Sequence, residues 1–147
     1  MTLRFLFAAL LLLAGCTRAI APADEPAATS TPEERRWEAA RLSDYRYDFE
    51  QQCFCLREQT QPVTVEVRGG RVARVVSRET GQPVVQRENL RWHTIPELFR
   101  MAAEARRNGT ETKVTHDPRL GYPTRIEIGS LAADAGVIYI ASNLRPL

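Results

Sequence analysis

The chain of 147 residues has few histidines and lacks the common catalytic signatures. It has two histidines, His93 and His116, far apart and with no carboxylate at metal-ligand spacing, which favours surface or structural roles for both. It has no Gly-x-Ser-x-Gly elbow, no phosphate loop, no Gly-x-Gly-x-x-Gly behind a strand and no His-Glu-x-x-His, so no motif calls for a cofactor or a resident metal. Asp134, in a loop-like stretch, adds nothing to these. Lysine occurs once, at Lys113, and the net charge is only +2, too small for a general nucleic-acid binder. Arg68, Arg71, Arg74 and Arg78 are spaced to line one side of a hairpin, where a solvated face is the simpler reading than a patch for anionic headgroups. Long hydrophobic runs are missing too, with one exception at the amino terminus.

That exception is residues 5–13, apolar throughout and preceded by Arg4. The run is too short to cross a bilayer as a helix and suits the h-region of an export signal. It ends in Leu13-Ala14-Gly15-Cys16, which resembles the lipobox of bacterial lipoproteins. The resemblance implies a signal peptide over 1–15 and lipid attachment to Cys16. It also implies a protein held to a membrane, since each buried CH2 of an acyl chain contributes about 0.8 kcal/mol. Thr17, where an aspartate would retain the protein at the inner membrane, resembles the sorting pattern for the outer membrane facing the periplasm; in a cell with a single membrane the anchor would be the cell membrane. Residues 17–31 are mostly Ala, Pro, Thr, Ser, Asp and Glu without apolar period, and read with Cys16 as a tether reaching roughly 50 Å.

The whole chain is 44% hydrophobic and 26% charged, and the remainder, 32–147, reads as one globular domain. Thr31, Pro32 and Glu34 open a helix with a capping box and a proline at its first position, and Trp37 and Ala40 give it a short apolar stripe. In 45–56, Tyr45, Tyr47 and Phe49 alternate with Arg46, Asp48 and Glu50, the period of a half-buried antiparallel strand. Val63, Val65 and Val67 make a second strand, and Gly69-Gly70 marks a hairpin to a third over 72–77. A strict two-residue turn would put Arg74 opposite Val65, so a bulge, or a turn one residue longer, that brings Val75 inward is expected. Residues 84–91 carry no assignable pattern. Thr94 and Glu97 cap a second helix whose apolar face is Ile95, Leu98, Phe99, Ala102 and Ala103. Strands follow at 112–116, around Ile126 and Ile128, and at 137–141, the last apolar at every position and hence either central or covered on both faces. The expected fold class is α+β, a mainly antiparallel sheet of about four to six strands with two helices, helix first.

The ordered set Trp37, Tyr45-x-Tyr47, Cys53-x-Cys55, the Val-x-Val-x-Val strand with its Gly-Gly turn, Thr94-x-x-Glu97-Leu98-Phe99 and Asp117-Pro118-x-x-Gly121-Tyr122-Pro123 resembles a family of small exported bacterial proteins known only as a domain of unknown function. The resemblance implies a compact exported domain, often lipid-anchored, and no residue-level activity.

With Cys16 acylated, Cys53 and Cys55 are left as two thiols in an oxidising compartment, where a disulfide is expected. Residues i and i+2 of a regular strand lie about 6.6 Å apart, so the bond closes only where the strand bulges or ends. Buried free thiols and a soft-metal or redox role, such as Cu(I) or thiol handling, remain the alternatives. The reading is thus a membrane-anchored extracytoplasmic lipoprotein, non-catalytic, that binds an envelope protein or small ligand.

Overall fold

The computed structural model describes residues 30–147 except 86, 88, 89 and 134. The segments expected to be a signal peptide (1–15) and, for all but its last two residues, a tether, together with Cys16 and Asp134, therefore lie outside the described residues.

Six strands form one antiparallel sheet: β1 (Tyr45–Cys53), β2 (Val63–Arg68), β3 (Arg71–Ser77), β4 (Thr112–His116), β5 (Pro123–Ile128) and β6 (Val137–Pro146), in the order β3-β2-β1-β6-β5-β4. Two three-stranded meanders are thus joined where β6 pairs with β1. The helices are α1 (Pro32–Ala40), α2 (Arg57–Thr60) and α3 (Ile95–Arg107). This corrects the expected balance of sheet and two helices: the domain is mostly β, with three short helices. The extra one, α2, is a single turn of four residues, too short to display a helical period. It also ends β1 earlier than the alternation suggested, at Cys53 instead of 56, because the chain bends at Phe54-Cys55 to enter α2.

One sheet face is packed. Tyr45, Tyr47, Phe49, Val63, Val65 and Val67 are all within 1% of complete burial. Two bulges keep that face apolar. Between β2 and β3, Glu66 pairs with Arg74 but Val67 with Val72, so Ala73 is the extra residue, and both Val72 and Val75 turn toward the core. The turn below it uses Gly69 and Gly70 at φ +54° and +71°, a conformation open to glycine at no steric cost. Between β1 and β6, Arg46 pairs with Arg145 but Asp48 with Ser142. Asn143 takes a left-handed conformation at φ +53°, its amide donates to Asp48 Oδ2 at 2.8 Å, and Leu144 is thereby buried.

The opposite face carries Arg46, Asp48, Glu50 and Gln52 on β1 with Thr64 and Glu66 beside them on β2. Strand β6, apolar at every position over 137–141, lies centrally. Its Ile138 and Ile140 are half-buried on this face, set by register between Gln52 and Glu127 and between Glu50 and Arg125, where long side chains take the place of a covering layer.

Helix α3 crosses the packed face and is fastened there by the Tyr-x-Tyr pair. Its Thr94–Glu97 capping box is formed in both directions. Ile95 N–H, an orphan donor of the first turn, donates to Tyr45 Oη at 2.9 Å, and Pro96 has no N–H to satisfy. Tyr47 Oη donates to the carbonyl of His93. On α1, Thr31 accepts from Glu34 N–H at 3.2 Å, and the buried Trp37 of the apolar stripe meets Tyr45 edge to face at 5.2 Å, which anchors the helix to the core. The Asp-Pro-x-x-Gly-Tyr-Pro loop closes over α1. Asp117 Oδ1 accepts from Arg119 and Leu120 N–H, Arg36 donates to the carbonyl of Pro118 at 2.9 Å, and Tyr122 packs on Trp37. Gly121, at φ +78°, comes so close to α1 that a Cβ there would stand 2.2 Å from the Glu33 carbonyl oxygen.

Candidate functional site

Among the described residues, two surface features stand out, an apolar groove and an exposed disulfide. The first is a groove of about 410 Å³ between α1, the start of α3 and the β2–β3 turn. Trp37, Leu42, Pro96 and Phe99 give it apolar walls, the Gly69-Gly70 backbone closes one side, and Glu34, Glu38 and Arg41 stand around it. A volume above 300 Å³ with apolar lining and a few polar groups at the edge is the form that small-molecule sites take. Its geometry follows from local causes. Leu42 follows the left-handed Arg41 that ends α1, and the turn is pinned beneath it by Gly69 N–H donating to Asp44 Oδ1 at 2.6 Å and Gly70 N–H to the Ser43 carbonyl at 2.9 Å. Sequence reasoning missed this groove because its walls come from three segments, each of which reads alone as core.

The second place is the end of β1. Cys53 and Cys55 are disulfide-bonded, with Cα atoms 5.3 Å apart, inside the range such bonds require. The bend after Cys53 is what brings them together, and it also separates their environments: Cys53 is half-buried and Cys55 exposed. Had the strand run on to residue 56, its period of two would have set both cysteines on the face of Tyr45, Tyr47 and Phe49; the bend takes Cys55 off that face and out of its shielding. Phe54 and Leu56 are exposed as well, at 73% and 63%. Gln51 Nε2 lies 3.2 Å from Cys53 Sγ and 3.7 Å from Cys55 Sγ, donating to both. A strand period of two places Gln51 beside Cys53, so this neighbour was readable and was not read. Closing so short a loop stabilises the fold by only about 1 to 2 kcal/mol in the chain-entropy picture. Among the described residues no group of three or more His, Cys, Asp and Glu is arranged to hold a metal ion.

The remaining candidates are dispersed. His93 packs against Phe49 and Tyr139 at 6.1 and 6.0 Å, and burial holds its imidazole below the usual value, opposed by Glu97. His116 stacks on Phe99 at 5.9 Å and is likewise pushed down by burial. Acids interrupt the four hairpin arginines, with Arg74 set across from Glu66 in register. Arg68 pairs with Glu66 at 2.9 Å and Arg78 with Asp48 at 3.6 Å, while Arg71 borders a separate cleft of about 400 Å³ with Arg91, Arg100 and Glu97. No described helix is long and apolar enough to cross a membrane.

Compared with known proteins, residues 29–146 match a family model described as "Family of unknown function (DUF6174)". No curated protein and no solved structure matches the chain.

Proposed function

We propose, for a chain that belongs to a family of unknown function, DUF6174, a role as an exported lipoprotein whose domain binds a small apolar ligand without transforming it. The observation that carries the binding role is the groove over Trp37, Leu42 and Phe99: three apolar side chains face a space of about 410 Å³ that the domain's own residues leave open. The export and anchoring part rests on the apolar run 5–13 and the lipobox-like Leu13-Ala14-Gly15-Cys16. Acylation of Cys16 would hold the domain within roughly 50 Å of a membrane, the reach of the tether. An apolar ligand and a membrane surface suit each other, since such molecules are concentrated in bilayers.

Two measurements test the two parts. A domain spanning 30–147, whose first helix keeps its Thr31 cap, should bind the fluorescent probe 1-N-phenylnaphthylamine saturably at one site. Leu42→Glu should abolish that binding while leaving cooperative unfolding intact, because Leu42 is only partly buried at the groove wall. Equal binding by the variant would refute the groove. In cells, Cys16→Ser should remove acyl mass from the protein; acyl mass retained on that variant would refute the anchor.

A further inference from the structure

The packing uses nearly every piece of the ordered motif set, and leaves one over. Trp37 and Tyr122 join α1 to its loop, Tyr45 and Tyr47 hold the start of α3, and the two glycines make the turn. Cys53-Phe54-Cys55 has no comparable duty. It stands at the end of β1 with Cys55, Phe54 and Leu56 exposed. A bond across one intervening residue ties no distant elements together, and the end of β1 is already held by β6, whose pairing runs on to Cys53. A staple in this place also needs no hydrogen-bond donor, yet Gln51 aims its amide at both sulfurs, 3.2 and 3.7 Å away. Such a donor favours the sulfur while it carries negative charge, which is the state of a cysteine released from a disulfide.

We propose that Cys53–Cys55 is a redox-active disulfide that exchanges with thiols from solvent. This does not rest on the groove. An incoming thiolate RS⁻ attacks the exposed Cys55 Sγ and a mixed disulfide R–S–Sγ forms there. The Cys53–Cys55 bond breaks, and its electron pair leaves on Cys53 Sγ, the sulfur closest to the Gln51 amide. A second thiolate attacks the R sulfur, releasing RSSR and the Cys55 thiolate. In sum the protein disulfide and two RSH give the protein dithiol and RSSR, with the two thiol protons passing to Cys53 and Cys55 or to water according to pH. The reverse sequence, driven by a small disulfide, restores the bond.

The test uses the mature protein purified from its membrane in detergent and equilibrated in glutathione buffers of graded redox poise. Disulfide content is read by alkylation and mass of the peptide that holds Cys53 and Cys55, so Cys16 does not enter. The expected result is complete, reversible reduction in native buffer, with cooperative unfolding retained by the reduced form. Gln51→Leu should shift the glutathione equilibrium toward the disulfide by about three- to tenfold, the scale of one hydrogen bond, and move the pH profile of alkylation of the reduced form upward. Gln51→Glu, of the same size, should shift both in the same direction and serves if the leucine variant fails to fold. Resistance to reduction until denaturant is added would overturn the proposal, as would alkylation profiles in both variants identical to that of the wild type.

Discussion

Removing one oxygen tests the joint between sheet and helix. In Tyr45→Phe the ring stays against Trp37 at 5.2 Å, and Ile95 N–H loses the only acceptor it has among the described residues. That donor is buried, so its desolvation is left uncompensated, at a cost of about 1 to 3 kcal/mol. An unfolding entropy of about 0.25 kcal/mol/K for a domain of roughly 120 residues converts this to a Tm lowered by about 4 to 12 °C. Urea unfolding of the 30–147 domain at pH 7, followed by tryptophan fluorescence, measures it. A second reading comes from alkali. Burial pushes the Tyr45 hydroxyl up to about 12 from its ordinary value near 10. Between these values the unfolded chain has lost the proton and the folded chain has kept it, so stability is complete below pH 10 and falls as pH rises toward 12. Tyr47, also raised well above 10 by burial, adds to the same limb. Tyr45→Phe should therefore be less stable at pH 7 and show a shallower alkaline decline. A stability unchanged within about 0.3 kcal/mol, or an alkaline limb parallel to that of the wild type, would refute the account of how α3 is held.

Gly121→Ala should cost about 2 kcal/mol or more, since its Cβ would meet the Glu33 carbonyl and its φ is +78°; Gly81→Ala, at φ +70° in open space, should cost only about 1 kcal/mol, and the urea midpoints of the two variants measure the difference. Burial depresses His93, so the unfolded chain takes up a proton near pH 6.5 while the folded chain resists it: the stability is present above pH 6.5 and is lost as pH falls, and His93→Gln should flatten the decline between pH 7 and 5 in the same assay.

What could be known from the order of residues alone rests on short-range physics. Alternation in 45–49 and 63–67, the Thr31 cap, the capping box at Thr94 and the Gly-Gly turn are each decided by neighbours within a few positions, and the structure places β1, β2, α1, α3 and the turn accordingly; at Thr31 only the cap forms, without the return bond from Glu34 that a full box has. The bulge that turns Val75 inward was readable for the same reason, because a one-residue slip would have set Arg74 against Val65. Helix α2 was not, since one turn has no period. The pairing of β6 with β1 was not either: it joins residues about ninety positions apart, and only the burial of Phe49 and Ala141 on one face selects that register over others. The candidate sites divide along the same line. Cys53 and Cys55 are two positions apart in sequence, so their bond was foreseeable and only the bend that exposes Cys55 was not. The groove belongs wholly to the tertiary structure. Trp37, Leu42, Gly69, Pro96 and Phe99 each obey a local rule, and the space among them exists only because α1, the hairpin turn and α3 meet at one end of the sheet without filling it.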